Sequence, residues 1–365
     1  MSRTLLRSPL RLGAIVVPNR VVMPPMVVWQ AAADGTVTAP ILEHYRRSAG
    51  PGMVIVEATV VSPEGRLARE QIGAFEDRHV EGLARIARII HDSGAVAAIQ
   101  LHHAGRNTTL ENTFGLPLVA PSAVPAKDVV PTALDEAGIE RILSCFASAA
   151  RRAADAGFDA AEIHGAHGYL GSQFLSPLVN LRGDRWGGPI ENRARFVREA
   201  FLRMRETVRG RLAVSCRLGA ADGEPGGLTV EEGVQVARWL EEDGMPFIHV
   251  STGIGNPPKL APEGSPWSDR LLLGAAVKKA VHVPVIGLGG IVDPDQAERA
   301  LAEGLVDLVG VGRAMLADPS WAAKALAGRE ADIIRCRQCP RCHHFRHAER
   351  CPARLEAARA AEGAR

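Results

Sequence analysis

Short apolar runs alternate with helix-patterned stretches along most of the chain. Eight such runs stand at 20–27, 53–57, 95–101, 158–164, 212–217, 247–251, 284–288 and 307–311. Each is brief and rich in Val, Ile, Leu or Ala, the pattern of a buried strand. Between them the apolar positions shift to helical spacing. Leu83, Ile86 and Ile90 predict a helix over 77–93, and Ile139, Ile142, Phe146 and Ala150 predict one over 134–156. Val234, Ala237 and Leu240 predict another over 230–243, and a shorter one is expected at 294–303. Eight strand–helix units in this order predict an α/β fold, a single (β/α)8 TIM barrel over 1–330. The rival is a doubly wound open sheet. It usually has fewer strands and an early G-x-G-x-x-G fingerprint, and none opens a helix after the first strand.

Three connections are longer than the rest: 106–133, 165–189 and 252–269. All follow predicted strands, so a barrel places them on its C-terminal face, where long loops build a substrate pocket. From 331 the composition turns to Arg, His and Cys. The stretch 331–365 reads as a short C-terminal extension, too small to be a second globular domain.

The chain has 365 residues, 46% hydrophobic and 23% charged, with a formal charge of +2. These values suit an ordinary globular protein and exclude a strong nucleic-acid-binding field. No apolar run approaches the ~20 residues of a membrane span. The N-terminal segment lacks a signal-peptide core and cleavage site, so a cytoplasmic location is expected. Of six cysteines, Cys145 and Cys216 sit in apolar surroundings and read as buried thiols. The other four form Cys336-x2-Cys339-x2-Cys342-x8-Cys351-Pro352. That spacing predicts metal ligation, either a [4Fe–4S] cluster or a tetrahedral zinc site, with His343, His344 and His347 as alternative ligands.

Candidate chemistry gathers at the strand ends. The fourth run leads into His164-Gly165-Ala166-His167-Gly168-Tyr169, which holds two imidazoles and one of the chain's two tyrosines. Such groups where a strand gives way to a loop suit acid–base work or the holding of an oxygen. The bland alternative has one histidine capping a helix and Tyr169 packing under the rim. Gly289-Gly290 and Gly312-Arg313, after the last two runs, predict a phosphate site, since bare backbone N–H groups and an arginine suit an anion. Gln100 and Arg217 combine a donor–acceptor amide with a fixed charge. Together they suit an amide-rich heterocycle that becomes anionic on reduction; alone, either could partner a barrel carboxylate.

These residues resemble the old yellow enzyme family of FMN-dependent ene-reductases, in particular its bacterial branch that includes 2,4-dienoyl-CoA reductases. The resemblance runs from about Leu10 to Arg335. It rests on Asn19-Arg20, Glu57-Ala58-Thr59, Ser62-Pro63-Glu64-Gly65-Arg66, the run Gln100 to Arg106, the run Ala161 to Tyr169, Gln173 to Pro177, and Gly187-Gly188-Pro189-Ile190-Glu191-Asn192-Arg193. It implies one FMN at the C-terminal face, with Pro24, Pro25, Met26 and Ala58 along the isoalloxazine. Gln100 would meet the pyrimidine edge and Arg217 would sit by N1 and O2. Gly289, Gly290, Gly312 and Arg313 would take the phosphate. His164 and His167 would hold the carbonyl oxygen of an α,β-unsaturated substrate, hydride would pass from flavin N5 to Cβ, and Tyr169 would protonate Cα.

Two positions depart from the family. Val27 stands where relatives carry Cys or Thr near the flavin, and Trp29 where many bacterial relatives have a pocket Tyr; both bear on the substrate. The chain stops at Arg365, before the FAD- and NAD(P)H-binding domains of multidomain relatives. FMN is therefore expected to be reduced by NAD(P)H at the same site, by an electron-donor protein, or through the cysteine cluster. Homo-oligomerisation is the default expectation, with no nucleic-acid or membrane partner. Two other functions fit the same residues. One is an amine dehydrogenase or demethylase, against which the His164/His167 pair favours carbonyl recognition. The other is an electron-transfer or scaffold subunit that docks a partner through its metal module.

Overall fold

The computed structural model describes residues 3–126, 129–345 and 347–363. Eight parallel strands close into one barrel. They are β1 (Val21–Met23), β2 (Met53–Val60), β3 (Val96–His102), β4 (Ala160–Gly165), β5 (Ala213–Gly219), β6 (Ile248–Ser251), β7 (Val285–Leu288) and β8 (Leu308–Gly310). The ring closes through β8 on β1. Around it run α1 (Ala39–Arg47), α2 (Val80–Asp92), α3 (Glu136–Asp155), α4 (Arg195–Val208), α5 (Val230–Glu242), α6 (Asp269–Lys278), α7 (Pro294–Ala302) and α8 (Arg313–Ala317). Among the described residues no helix is long and apolar enough to cross a membrane.

Every predicted strand is present, with shifted ends. β1 stops at Met23 because Pro24 and Pro25 have no N–H to continue the ladder. β2 runs three residues past Glu57 to Val60, with an irregularity between Val56 and Thr59. The helix expected over 77–93 begins as a 3-10 turn at Asp77–His79. Helices α1, α4, α6 and α8 were not anticipated, although α4 buries Phe196, Val197, Ala200, Phe201, Met204 and Val208 at helical spacing. The extension after 331 is not shapeless. It carries short 3-10 turns and a helix at Pro352–Gly363, and Arg354 ties it to the carbonyl oxygens of Leu316 and Ala317.

The barrel interior changes character along its axis. Its lower part is apolar, filled by Val22, Met53, Ile55, Val96, Ala98, Ala160, Phe247, Ile286 and Leu308. An antiparallel hairpin, Leu10–Leu12 with Ile15–Val17, packs Leu12 and Val17 against this plug. Side chains two residues apart on a strand share a face. On the inward face of four adjacent strands the residues beyond the plug turn polar: Gln100 and His102 on β3, Glu162 and His164 on β4, Ser215 and Arg217 on β5, His249 and Ser251 on β6. All are buried.

Candidate active site

The His-x2-His-x-Tyr stretch begins at His164 on β4 and turns sharply. His167 and Gly168 both take left-handed backbone angles, φ +60° and +73°, and Tyr169 caps the short helix Leu170–Leu175. This folds the three side chains into one cluster. Nε2 of His164 lies 3.3 Å from Nδ1 of His167. The Tyr169 ring centroid lies 4.9 Å from that of His164. The loop is braced from behind. The Gln173 amide donates to the carbonyls of Ala104 and Gly168, and its oxygen accepts from the Arg106 N–H. Asn180 donates to the carbonyls of Phe174 and Trp186. Arg193 donates to the carbonyls of Gly188 and Leu175 and pairs with Glu232. The 187–193 signature is thus scaffolding for the loop that presents Tyr169.

Burial, reinforced by the neighbouring positive groups, drives both His164 and His167 well below the usual imidazole pKa, so both are neutral near pH 7. A neutral ring has one N–H, and its neighbours decide which nitrogen carries it. The Ala166 N–H approaches Nδ1 of His164 at 3.3 Å, which leaves the His164 proton on Nε2. That N–H faces Nδ1 of His167, while Nε2 of His167 lies 2.7 Å from Ser251 Oγ. A hydroxyl can donate or accept. When Ser251 donates to Nε2, His167 carries its proton on Nδ1, and both rings then present N–H groups to one oxygen. Burial pushes Tyr169 up to about 12 against the pull of Arg217, so the phenol keeps its proton.

Below this cluster lies a charged layer. Glu162 accepts from Gln100 Nε2 at 2.8 Å, and its other oxygen lies 2.8 Å from His249 Nδ1. Gln100 is therefore partnered to a barrel carboxylate, the alternative its sequence left open, and what it can offer a ring N–H is its amide oxygen. Arg217 is buried with Nε unpartnered. Burial lowers its pKa to about 10, with Glu162 opposing the shift. None of Glu162, His249 and Ser251 was assigned a role from the sequence, because which inward layer of the barrel each occupies is set only by the pairing of β4, β5 and β6.

The glycine ends of β7 and β8 open on a cavity of about 190 Å³. Gly289, Gly290 and Gly312 line it with Pro24, Met26, Arg217, Arg270, Arg313 and Gln338. Gly289 and Gly290 have φ of +126° and +74°. A Cβ on Gly289 would come within 2.5 Å of Ser268 Oγ, so glycine is required. Three arginines and no carboxylate line this space, and Arg270 Nε is buried without a partner. The cradle and its unpartnered guanidinium groups fit a phosphate, and with Arg217 and Gln100 deeper in the barrel they fit FMN. Arg270 and Gln338 were missed in the sequence; they arrive from α6 and the C-terminal extension.

Pro25 and Ala58 are buried at the ends of β1 and β2. Val27 and Trp29 follow in a half-buried loop, with Trp29 at φ +53°. That loop is tied to β2 by Glu57, which accepts from the Val28 N–H at 3.0 Å.

Cys336, Cys339, Cys342 and Cys351 line one small cavity with Arg313, His343 and His344. All are free thiols, as are half-buried Cys145 and buried Cys216. Among the described residues no group of three or more His, Cys, Asp or Glu is arranged to hold a metal ion. The expected ligands are thus gathered, but not onto a point. Arg313 borders both this cavity and the glycine-lined one, and donates to the Cys339 carbonyl at 3.1 Å.

Comparison with known proteins agrees with this geometry. The chain is 42% identical over 336 residues to an NADH oxidase of Thermoanaerobacter brockii, spanning 90% of this chain but 52% of that protein. It is 38% identical over 331 residues to an NADPH dehydrogenase of Geobacillus sp. (strain WCH70), covering 88% of this chain and 95% of the relative. Among solved structures, morphinone reductase in complex with tetrahydroNAD superposes with a TM-score of 0.77 at 30% identity, over 89% of this chain and 91% of the other. A family model also matches residues 6–332. By that match the chain belongs to the NADH:flavin oxidoreductase / NADH oxidase family, the old yellow enzyme family.

Proposed function

We propose that this protein is an FMN-dependent oxidoreductase that takes electrons from NAD(P)H and reduces the C=C bond of an α,β-unsaturated carbonyl compound. The observation that carries this reading is the pair of imidazoles, His164 and His167, 3.3 Å apart beside Tyr169. FMN would supply the two-electron hydride chemistry between NAD(P)H and the alkene; Gln100 and Arg217 would hold its ring, and Gly289, Gly290 and Gly312 with Arg270 and Arg313 would hold its phosphate. His164 and His167 polarise the substrate carbonyl and stabilise the negative charge that builds on its oxygen. Both are uncharged, so they do this without giving up a proton. Tyr169 then transfers its phenolic proton to Cα. Val27 and Trp29 shape the space above the ring.

The spacing Cys336-x2-Cys339-x2-Cys342 with the later Cys351-Pro352 favours a [4Fe–4S] cluster over zinc at the cysteines. Such a cluster would supply one-electron chemistry from a donor protein. Iron and labile sulfide in anaerobically purified protein are the expected result; zinc without sulfide would sink this part of the reading.

The function is tested by anaerobic titration of the yellow protein. NAD(P)H should bleach it, and a small enone such as cyclohexenone should restore the colour. In Tyr169→Phe, bleaching should proceed as before, while reoxidation slows about 100-fold or more, the usual size of a general-acid contribution. A protein that is bleached but returns its electrons to dioxygen alone would overturn the enone assignment.

A further inference from the structure

Directly above the apolar plug stands a carboxylate with no cation in contact. Glu162, on β4, is 1% exposed. Two residues below it on the same face, Ala160 and its β3 neighbour Ala98 belong to the plug. One Glu162 oxygen accepts from Gln100 Nε2 at 2.8 Å, and the other lies 2.8 Å from His249 Nδ1. Burial pushes the His249 pKa below the usual imidazole value, with Glu162 opposing the shift. Near pH 7 the contact is therefore a hydrogen bond from Nδ1 of a neutral ring to a carboxylate, which has only lone pairs to offer. Among the described residues no lysine or arginine forms an ion pair with Glu162.

A charge placed so deep is costly, and hydrogen bonds from two neutral donors offset only part of the cost. An apolar residue here would extend the plug. Gln100 needs only an acceptor for its N–H, which a neutral amide could supply. What Glu162 alone adds is negative charge, and its place decides where that charge is felt. Arg217 stands on the neighbouring strand. It is close enough for Glu162 to oppose the burial that lowers its pKa. Gln100 and Arg217 are the two groups assigned to the flavin ring, and Glu162 acts on both. It fixes the first by a hydrogen bond and offsets the charge of the second. Reduction brings negative charge onto the ring, and charges beside a cofactor ring are the means by which a protein tunes it. Arg217 favours the reduced form; Glu162 opposes it.

We propose that Glu162, held by His249, is a positioning residue that keeps the reduction potential of the flavin low, by balancing Arg217 and by turning the Gln100 amide oxygen toward the ring. This rests on the FMN site above but not on the substrate, because the potential is read with no alkene present. The measurement is anaerobic equilibrium reduction of the FMN-loaded protein against a reference dye, followed by visible absorbance. In Glu162→Gln, which keeps the shape and removes the charge, the potential should rise by about 30 mV or more. For a two-electron couple about 30 mV is tenfold in the ratio of affinities for reduced and oxidised flavin. Glu162→Met also removes the charge; it should give the same rise and serves if the glutamine variant does not hold FMN. Glu162→Asp, which keeps the charge, should restore most of the wild-type value. An unchanged potential in the variants without the charge, or an equal rise in Glu162→Asp, would overturn the assignment. The expected shift in a protein that reduces no enone would leave the role of Glu162 standing and remove the enone reductase reading instead.

Discussion

Two neutral imidazoles can hold one oxygen only if each keeps its proton on the nitrogen that faces it. Here the backbone amide of Ala166 settles that for His164, and Ser251 Oγ, 2.7 Å from Nε2 of His167, does so for His167 when its hydroxyl donates. Ser251 touches neither substrate nor cofactor in this scheme, so it is a positioning residue. In Ser251→Ala the tautomer of His167 is no longer set. kcat/KM for an enone should fall about tenfold, less than the 100-fold or more of losing a direct oxyanion donor, and Ser251→Thr should restore most of it. An alanine variant with unchanged kcat/KM would show that His167 needs no such partner. The candidate cluster was legible in the sequence because His164, His167 and Tyr169 lie within six residues. Their supports were not. His249 and Ser251 come from β6, and only the closed barrel brings them to Glu162 and His167.

Single strands and loops carry a second layer of control. Glu57 sits inside β2, fully buried, and tethers the loop that bears Val27 and Trp29. Burial raises its pKa from 4.5 to about 7, against hydrogen bonds from the Val28 N–H and the Tyr45 hydroxyl. A carboxyl raised on folding binds its proton more tightly in the native state. Its contribution is therefore full below pH 4.5 and is lost as pH rises through 7. Glu57→Gln mimics the protonated form. Relative to the wild type, the variant should gain about 3 kcal/mol between pH 4.5 and pH 8, at about 1.4 kcal/mol per pH unit. Urea melts at the two pH values check this; a stability difference that does not change with pH would place the Glu57 pKa near its ordinary value. The strand runs of the sequence mapped onto eight real strands, but their ends did not. Where β1 stops follows from Pro24 and Pro25. Where β2 stops depends on an irregularity that only pairing with β3 reveals.

For the whole molecule the informative feature is an anion cavity walled by distant segments. Gly289 and Gly290 follow β7, Gly312 follows β8, Arg313 opens α8, Arg270 comes from α6 and Gln338 from the C-terminal extension. Arg270 Nε has no partner, and nearby Arg313, after burial itself, lowers the Arg270 pKa. Two guanidinium groups this close are held against their repulsion most simply by a shared dianion. Arg270→Met should weaken FMN binding about tenfold, with the loss shrinking as ionic strength screens the charge. Fluorescence titration of the apoprotein checks it, and an unchanged affinity at low salt would remove Arg270 from the phosphate site. Because Gln338 and Phe345 also line this cavity, the C-terminal extension is a wall of the glycine- and arginine-lined space as well as the bearer of the four cysteines.

By itself the chain determined its alternation of strands and helices, the glycine ends of the last two strands, the cysteine spacing and the His-His-Tyr turn, because each is written in residues close together. The tertiary structure decided which groups meet across the barrel. It turned the inward face of β3 to β6 polar above an apolar plug, bound Gln100 and His249 to Glu162, and set Ser251 behind His167. The physical reason is register. A strand shows its own alternation to a reader of the sequence, but which layer of one strand lies beside which layer of the next is fixed only when the hydrogen-bonded ring closes.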